Sequence, residues 1–155
     1  METGLVIPAQ SIEESEPMES EKFIFSHLPL ENPHLLPPLA LAYIGDAVYE
    51  VVVRKYLIAK GLVRANKLHR QAIKYVRAGS QAKILFALEN KLTDEEVAVV
   101  RRGRNAKSGH VPKGSRVMEY RHSTAFESLI GYLYLKGDLA RLNEILEIAH
   151  GVIEE

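Results

Sequence analysis

The sequence predicts an all-α domain of the helical-bundle class, and three observations support this. Apolar residues recur at helical spacing from Pro37 onward, helix start and stop signals separate these stretches, and no strand-like alternation is convincing. Of the 155 residues, 46% are hydrophobic and 26% are charged, which suits one globular domain with a core. The absence of cysteine excludes disulfides, thiolate metal sites and a cysteine nucleophile.

The first three predicted helices are separated by recognisable signals. The Pro37-Pro38 pair can open a helix that runs to about Ala59, and Gly61 follows it as a stop signal. Asn66 is the expected N-cap of a second helix over residues 67–77. The Gly79-Ser80 pair is expected to break the pattern before a third helix over residues 81–89.

A capping box and a glycine-rich stretch define the next part of the chain. Thr93 and Glu96 form the capping box, which starts a helix that runs to Arg102 or Arg104. Residues 103–115 are rich in glycine and turn formers, which predicts a loop, and their positive charge predicts that the loop is exposed.

Two helices complete the predicted bundle. The first is expected to start near Ser123 and to run to Leu135, just before Gly137. The second covers residues 139–150 and is amphipathic. Its apolar face consists of Leu142, Ile145, Leu146 and Ala149.

The net charge of zero hides an asymmetry between the two ends of the chain. Residues 1–30 contain six glutamates and one lysine, whereas residues 31–155 contain 19 basic and 14 acidic side chains. We therefore divide the chain into an acidic, disordered tail over residues 1–30 and a basic domain over residues 31–155. The excess of positive charge in the domain favours binding of a polyanion, and nucleic acid is the obvious candidate.

Two almost wholly apolar helical stretches each carry an isolated carboxylate near a glycine. Asp46 follows Gly45, and Glu127 lies four residues before Gly131. An ionised carboxylate on an apolar face is unfavourable unless it is paired, hydrogen-bonded or bound to a metal. If the two helices cross near these residues, their oxygens form a hard site of the kind that binds Mg²⁺. The alternative is that Asp46 and Glu50, one helical turn apart, face water or pair with Arg54.

The chain carries three recognisable motifs, in the order A-L-A-Y-I-G-D-A-V-Y-E, V-V-R-R-G-R-N-A-K-S-G and Y-R-H-S-T-A-F-E-S-L-I-G-Y-L-Y-L. Over roughly residues 37–150, the chain resembles the Mini-ribonuclease III family in these motifs and in their order. The resemblance implies a ribonuclease III-type fold and a homodimeric, Mg²⁺-dependent endoribonuclease that cuts double-stranded RNA, leaving 5′-phosphate and 3′-hydroxyl ends. It also implies a role in trimming the 23S ribosomal RNA precursor, assisted by a ribosomal protein. Asp46 and Glu127 match the catalytic carboxylates of the family and would hold the metal.

The chain departs from the larger ribonuclease III enzymes at two positions. Those enzymes carry a glutamate four residues before the catalytic aspartate and an aspartate three residues before the catalytic glutamate, where this chain has Ala42 and Thr124. Two alternatives therefore stay open. The chain could be a catalytically inactive RNA-binding or ribosome-associated protein, or a metal-dependent hydrolase of small nucleotides. Glu50 or the RNA phosphate could also supply the missing oxygens.

The basic segment after the capping box is the expected RNA-binding element, because the chain has no separate RNA-binding domain in the region of the resemblance. The residues suited to this task are Arg101, Arg102, Arg104, Asn105, Lys107, Ser108 and Lys113. No secretory signal is apparent, and the apolar stretch at residues 35–53 contains prolines and acidic residues that disfavour a membrane span. We therefore expect no contact with membranes and a location in the cytoplasm, or in the plastid stroma of a plant.

Overall fold

The computed structural model describes residues 29–107, 114 and 116–155, and its regular elements are helices throughout that part of the chain. In chain order, the α-helices are α1 Pro38–Ala59, α2 Ala65–Val76, α3 Ala78–Leu88, α4 Asp94–Asn105, α5 Arg116–Lys136 and α6 Leu139–Glu154. Two 3₁₀ turns, Pro33–Leu35 and Glu89–Lys91, precede α1 and α4. The prediction of an all-α domain is confirmed.

Two of the predicted helix signals have the expected geometry. Gly61 has a φ of 96°, and the backbone N–H of Leu62 donates to the carbonyl of Leu57 at 3.2 Å, as in the Schellman motif that ends a helix. At the start of α4, the Glu96 N–H donates to Thr93 Oγ1 at 3.2 Å, and the Thr93 N–H donates to Glu96 Oε1 at 3.0 Å. The capping box is confirmed.

Two predicted boundaries are wrong: the start of the second helix, and the break between the second and third helices. Asn66 lies inside the first turn of α2 rather than at its N-cap, which is Arg64. Arg77 ends α2 because its backbone is extended, with φ −64° and ψ 152°, so Gly79 and Ser80 belong to the first turn of α3. The Ser80 hydroxyl donates to the carbonyl of Lys74 at 2.5 Å, which closes this corner.

The predicted loop over residues 103–115 is shorter than we expected, because α4 continues to Asn105. Gly103 is buried in this helix, where an added Cβ would lie 2.7 Å from Ser128 Oγ and 2.9 Å from Ala125 Cα of α5. Close helix packing, rather than a turn, therefore accounts for this glycine. Helix α5 begins at Arg116 instead of near Ser123, and α6 continues past His150 to Glu154.

Helix α5 lies at the centre of the bundle and packs most extensively against α1, then against α4 and α3. Tyr49 of α1 and Phe126 of α5 are fully buried and meet edge to face, with ring centroids 5.1 Å apart. The four apolar residues predicted for one face of the last helix are all buried. The core thus joins the two helices that carry the isolated carboxylates.

The predicted acidic tail over residues 1–30 lies outside the described residues except for its last two. Of these, Leu30 donates its backbone N–H to the carbonyl of Leu135 at 2.8 Å, at the end of α5. Among the described helices, none combines the length and apolar character needed to cross a bilayer.

Candidate active site

Two glycines allow α1 and α5 to cross with their backbones in contact. A Cβ added at Gly45 would overlap the carbonyl oxygen of Glu127, and a Cβ added at Gly131 would overlap the carbonyl oxygen of Leu41. Any larger residue at either position would push the helices apart. The sequence pattern of a carboxylate near a glycine therefore has a direct structural cause.

The crossing brings Asp46 and Glu127 together. Asp46 follows the contact glycine of α1 and is exposed, whereas Glu127 is half-buried on α5, and their side chains share a hydrogen bond. A hydrogen bond between two carboxyl groups requires a proton on one of them. The two side chains thus meet at an edge of the bundle that solvent can reach.

Glu127 is the carboxyl group that holds this proton most readily. Burial raises its pKa, and the hydrogen bond and negative charge of Asp46 raise it further, to about 9. A hydrogen bond from the Gln81 side chain acts in the opposite direction and lowers the pKa. A perturbed carboxyl group beside a second carboxyl group is typical of a functional site.

The pair has the donor chemistry that Mg²⁺ prefers. Carboxylate oxygens are hard ligands, and two groups close enough to share a proton are placed to share a cation in its stead. Within the described part of the chain, no three Asp, Glu, His or Cys side chains form a cluster that could hold a metal. By its own chemistry, the carboxyl pair fits an ion that takes only a few protein ligands and completes its shell with water and substrate phosphate, as Mg²⁺ does.

The neighbouring positions supply no further carboxylate. Glu50 forms an ion pair with Arg54, with Oε2 and Nη2 2.9 Å apart, which is the alternative that the sequence had left open for it. Ala42 is buried, and the hydroxyl of Thr124 donates to the carbonyl of Tyr120 at 3.0 Å. Asp46 and Glu127 are thus the acidic side chains that the crossing itself brings together.

The residues predicted to bind RNA have different surroundings. Arg101 and Arg104 share one face of α4 and, with His122, line a small cavity of about 170 Å³. Arg102 points elsewhere and donates to the backbone carbonyl of His34 before α1. Asn105 and Lys107 are exposed, while Ser108 and Lys113 lie outside the described residues.

Two polar residues near the site escaped the sequence reasoning. Gln81 and Ser123 are both buried, and the Ser123 hydroxyl donates to Gln81 Oε1 at 2.7 Å. Gln81 in turn contacts Glu127. The sequence predicts each of them only as the start of a helix, and the signal that could have found them is a polar residue at the spacing of a buried helix face.

Comparison with known proteins shows which family this chain is similar to. The sequence model of the ribonuclease III domain matches residues 39–138. The Mini-ribonuclease 3 of Symbiobacterium thermophilum is 54% identical over 125 residues, which cover 81% of this chain and 96% of that protein. The Mini-ribonuclease 3 of Brevibacillus brevis is 52% identical over 123 residues, covering 79% and 92%.

A similar fold is present in a solved structure. The X-ray structure of a Fusobacterium nucleatum protein superposes with a TM-score of 0.65 at 33% sequence identity, and the match covers 77% of this chain and 93% of the other. The match to the domain model and the identity to full-length relatives establish that the chain belongs to the Mini-ribonuclease III group of the ribonuclease III family of endoribonucleases.

Proposed function

We propose that this endoribonuclease is Mg²⁺-dependent, cleaves double-stranded RNA and matures the paired ends of the 23S ribosomal RNA precursor in the cytoplasm. The observation that carries the proposal is the hydrogen bond between Asp46 and Glu127 at a solvent-accessible edge of the bundle. The ribosomal substrate, and a ribosomal protein as helper, rest on the resemblance of the sequence motifs to the family.

The chemistry follows from what the two carboxyl groups can do. When bound, Mg²⁺ would polarise a phosphoryl oxygen and lower the pKa of an attacking water. Glu127 must first release its proton, and Asp46 is exposed at the position where a phosphodiester can approach. Water then adds its hydroxyl to phosphorus as the bond to the 3′-oxygen breaks, and the 3′-oxygen takes a proton. The products carry 5′-phosphate and 3′-hydroxyl ends.

Helix α4 provides basic side chains for binding the duplex. A-form RNA is contacted mainly through phosphates and 2′-hydroxyls across its shallow groove, which suits arginine and lysine side chains. We assign this role to Arg101, Arg104, Asn105 and Lys107, together with Ser108 and Lys113. Arg102 is engaged with the His34 carbonyl, so we expect it to anchor the segment before α1 and to contribute less to binding.

An exposed apolar row on α1 supports a homodimer. Leu39, Tyr43 and Val51 are 39%, 83% and 65% exposed, and with the exposed Ala47 they recur every four residues along one face. A continuous apolar row of this kind is unfavourable in water. A second copy can cover it with the same row of its own, which is the arrangement of a twofold dimer.

The dimer is tested by placing a charge in this row. We expect Tyr43→Lys to convert the dimer to a monomer in analytical ultracentrifugation, because a lysine would be buried at the interface. Val63→Lys is the matched control, since Val63 is 79% exposed but lies after α1. A dimer that survives Tyr43→Lys at all protein concentrations would contradict this interface.

The proposed activity is tested by incubating the purified chain with a perfect RNA duplex, with and without Mg²⁺, and analysing the ends of the products. We expect cleavage only when Mg²⁺ is present, and we expect the products to carry 5′-phosphate ends. Binding without cleavage over a range of divalent ions would favour the alternative, a catalytically inactive RNA-binding protein. That alternative has one observation in its favour, namely that Ala42 and Thr124 occupy positions where larger relatives carry acids.

A further inference from the structure

Gln81 is a buried glutamine at the floor of the candidate active site, with a relative exposure of 1%. It lies in the first turn of α3, while Glu127 and Ser123 lie on α5. Its side chain contacts the Glu127 carboxyl, the Ser123 hydroxyl and the backbone carbonyl of Val76. A buried amide with this many partners holds one orientation, because any rotation would leave polar groups unpaired.

The partners also determine which end of the amide faces Glu127. The carbonyl of Val76 can only accept a hydrogen bond, so the Gln81 atom 3.0 Å from it is Nε2. The Ser123 hydroxyl donates to Oε1 at 2.7 Å, which leaves the second Nε2 hydrogen for the carboxyl group of Glu127. An N–H donor that is itself held in place orients the carboxylate oxygen that accepts from it.

From this arrangement we infer that Gln81, oriented by Ser123, is a positioning residue that holds the Glu127 carboxylate in the orientation needed to bind the metal ion. The inference rests on the proposed function, since it concerns how Glu127 meets the cation. Partners of this kind commonly change metal affinity or activity by about 10- to 100-fold when they are removed.

The test compares Gln81→Leu with the wild-type chain in two measurements. The first is the rise in melting temperature with added Mg²⁺ in the absence of RNA, which reports metal affinity. The second is single-turnover cleavage of duplex RNA as a function of Mg²⁺ concentration. We expect Gln81→Leu to need roughly tenfold more Mg²⁺ for half of the full effect in both measurements. Its affinity for the duplex in EDTA should be unchanged.

Ser123 gives a second test that does not remove the buried amide. We expect Ser123→Ala to shift the Mg²⁺ requirement in the same direction by a smaller factor. Ser123→Thr keeps the hydroxyl and should restore a response near that of the wild-type chain. Gln71→Leu on α2 is the matched control for the glutamine change. Ser80→Ala is the control for loss of a buried hydroxyl, because the Ser80 hydroxyl donates to the Lys74 carbonyl.

The outcomes separate this inference from the proposed function. If the wild-type chain shows no Mg²⁺-dependent cleavage, the proposed function fails. If the wild-type chain cleaves and folded Gln81→Leu has the same Mg²⁺ requirement, the positioning role is overturned while the proposed function stands. If Gln81→Leu does not fold, Ser123→Ala decides: a wild-type Mg²⁺ requirement in that variant overturns the role.

Discussion

Glu96 and Glu127 are two glutamates on neighbouring helices with opposite surroundings. Glu96 is 4% exposed, and Arg141 donates to both of its oxygens, from Nε at 2.9 Å and from Nη2 at 2.8 Å. Burial alone would raise the pKa of Glu96, but the hydrogen bonds from Arg141 and Thr93 outweigh it and lower the pKa. Glu127 faces another carboxyl group instead, and its pKa is raised to about 9.

The difference separates a structural carboxylate, Glu96, from Glu127, the carboxylate that we propose to be functional. The charge of Glu96 is fully compensated by a cation and by a helix N-terminus, so it contributes to the stability of the fold. The described groups that shift the pKa of Glu127 include no cation, and we propose that a bound metal supplies the compensating charge. A buried acid in the sequence is therefore informative only once its partners are known.

The largest expected effect comes from removing the partner that makes Glu127 unusual. Asp46→Asn should lower the rate of duplex cleavage by more than the roughly 100-fold typical of losing an outer partner of a metal site, because we propose Asp46 as a direct ligand. Affinity for the duplex should change little. Glu50→Gln is the control, since Glu50 pairs with Arg54 at the surface and should leave the rate near that of the wild-type chain. Undiminished cleavage by Asp46→Asn would remove the site assignment.

The next prediction concerns the helix crossing that creates the contact between the carboxyl groups. Gly45→Ala should destabilise the chain by about 3 kcal/mol, because the added methyl group overlaps the backbone of Glu127. Gly151→Ala is the matched control in α6, where a Cβ meets nothing, and it should stabilise by about 0.5 to 1 kcal/mol. Urea denaturation measures both changes. Equal stability of the two variants would show that the helices do not cross as closely as described.

Removing Arg141 should leave Glu96, like Glu127, as a carboxyl group without a cation beside it in the described part of the chain. Arg141→Ala is expected to destabilise the chain by about 2 to 3 kcal/mol, because it leaves a buried carboxylate without its cation. Arg54→Ala removes an exposed pair and should change the stability by less than about 1 kcal/mol. Thermal denaturation followed by circular dichroism compares the two variants, and similar losses would mean that burial does not distinguish the two ion pairs.

The smallest expected effect is a difference in pH dependence without metal. Because the folded-state pKa of Glu127 is raised from 4.5 to about 9, the folded chain binds more protons in that interval, and its stability should fall as pH rises. Glu127→Gln should remove this decline and make the metal-free chain more stable than the wild-type chain at pH 8. The lowered pKa of Glu96 has the opposite consequence, since its contribution is lost as pH falls below the ordinary range.

Melting temperatures in EDTA between about pH 6 and 9 test this prediction. Glu96→Gln is the comparison variant and should be less stable than the wild-type chain at every pH in that interval. A Glu127→Gln variant that is destabilised at pH 8 in EDTA would show that Glu127, like Glu96, is compensated in the folded chain.

The success of the sequence predictions varied with how local the deciding interaction was. The capping box of Thr93 and the stop at Gly61 involve residues within a few positions of each other, so their pattern predicts their structure. The start of α5 and the break at Arg77 have no such local signal. The predicted loop starts too early, at Gly103, because a glycine in a loop and a glycine at a close helix contact look the same in a sequence.

By itself, the sequence determined the all-α class, most of the helices, the family and the candidate pair Asp46 and Glu127, because periodicity, caps and motifs are written in short stretches of chain. Only the tertiary structure decided that these two carboxyl groups meet, that Glu50 pairs with Arg54 instead, and that Gln81 contacts Glu127. The physical reason is that burial and charge compensation depend on side chains far apart in sequence, which meet only when the helices pack.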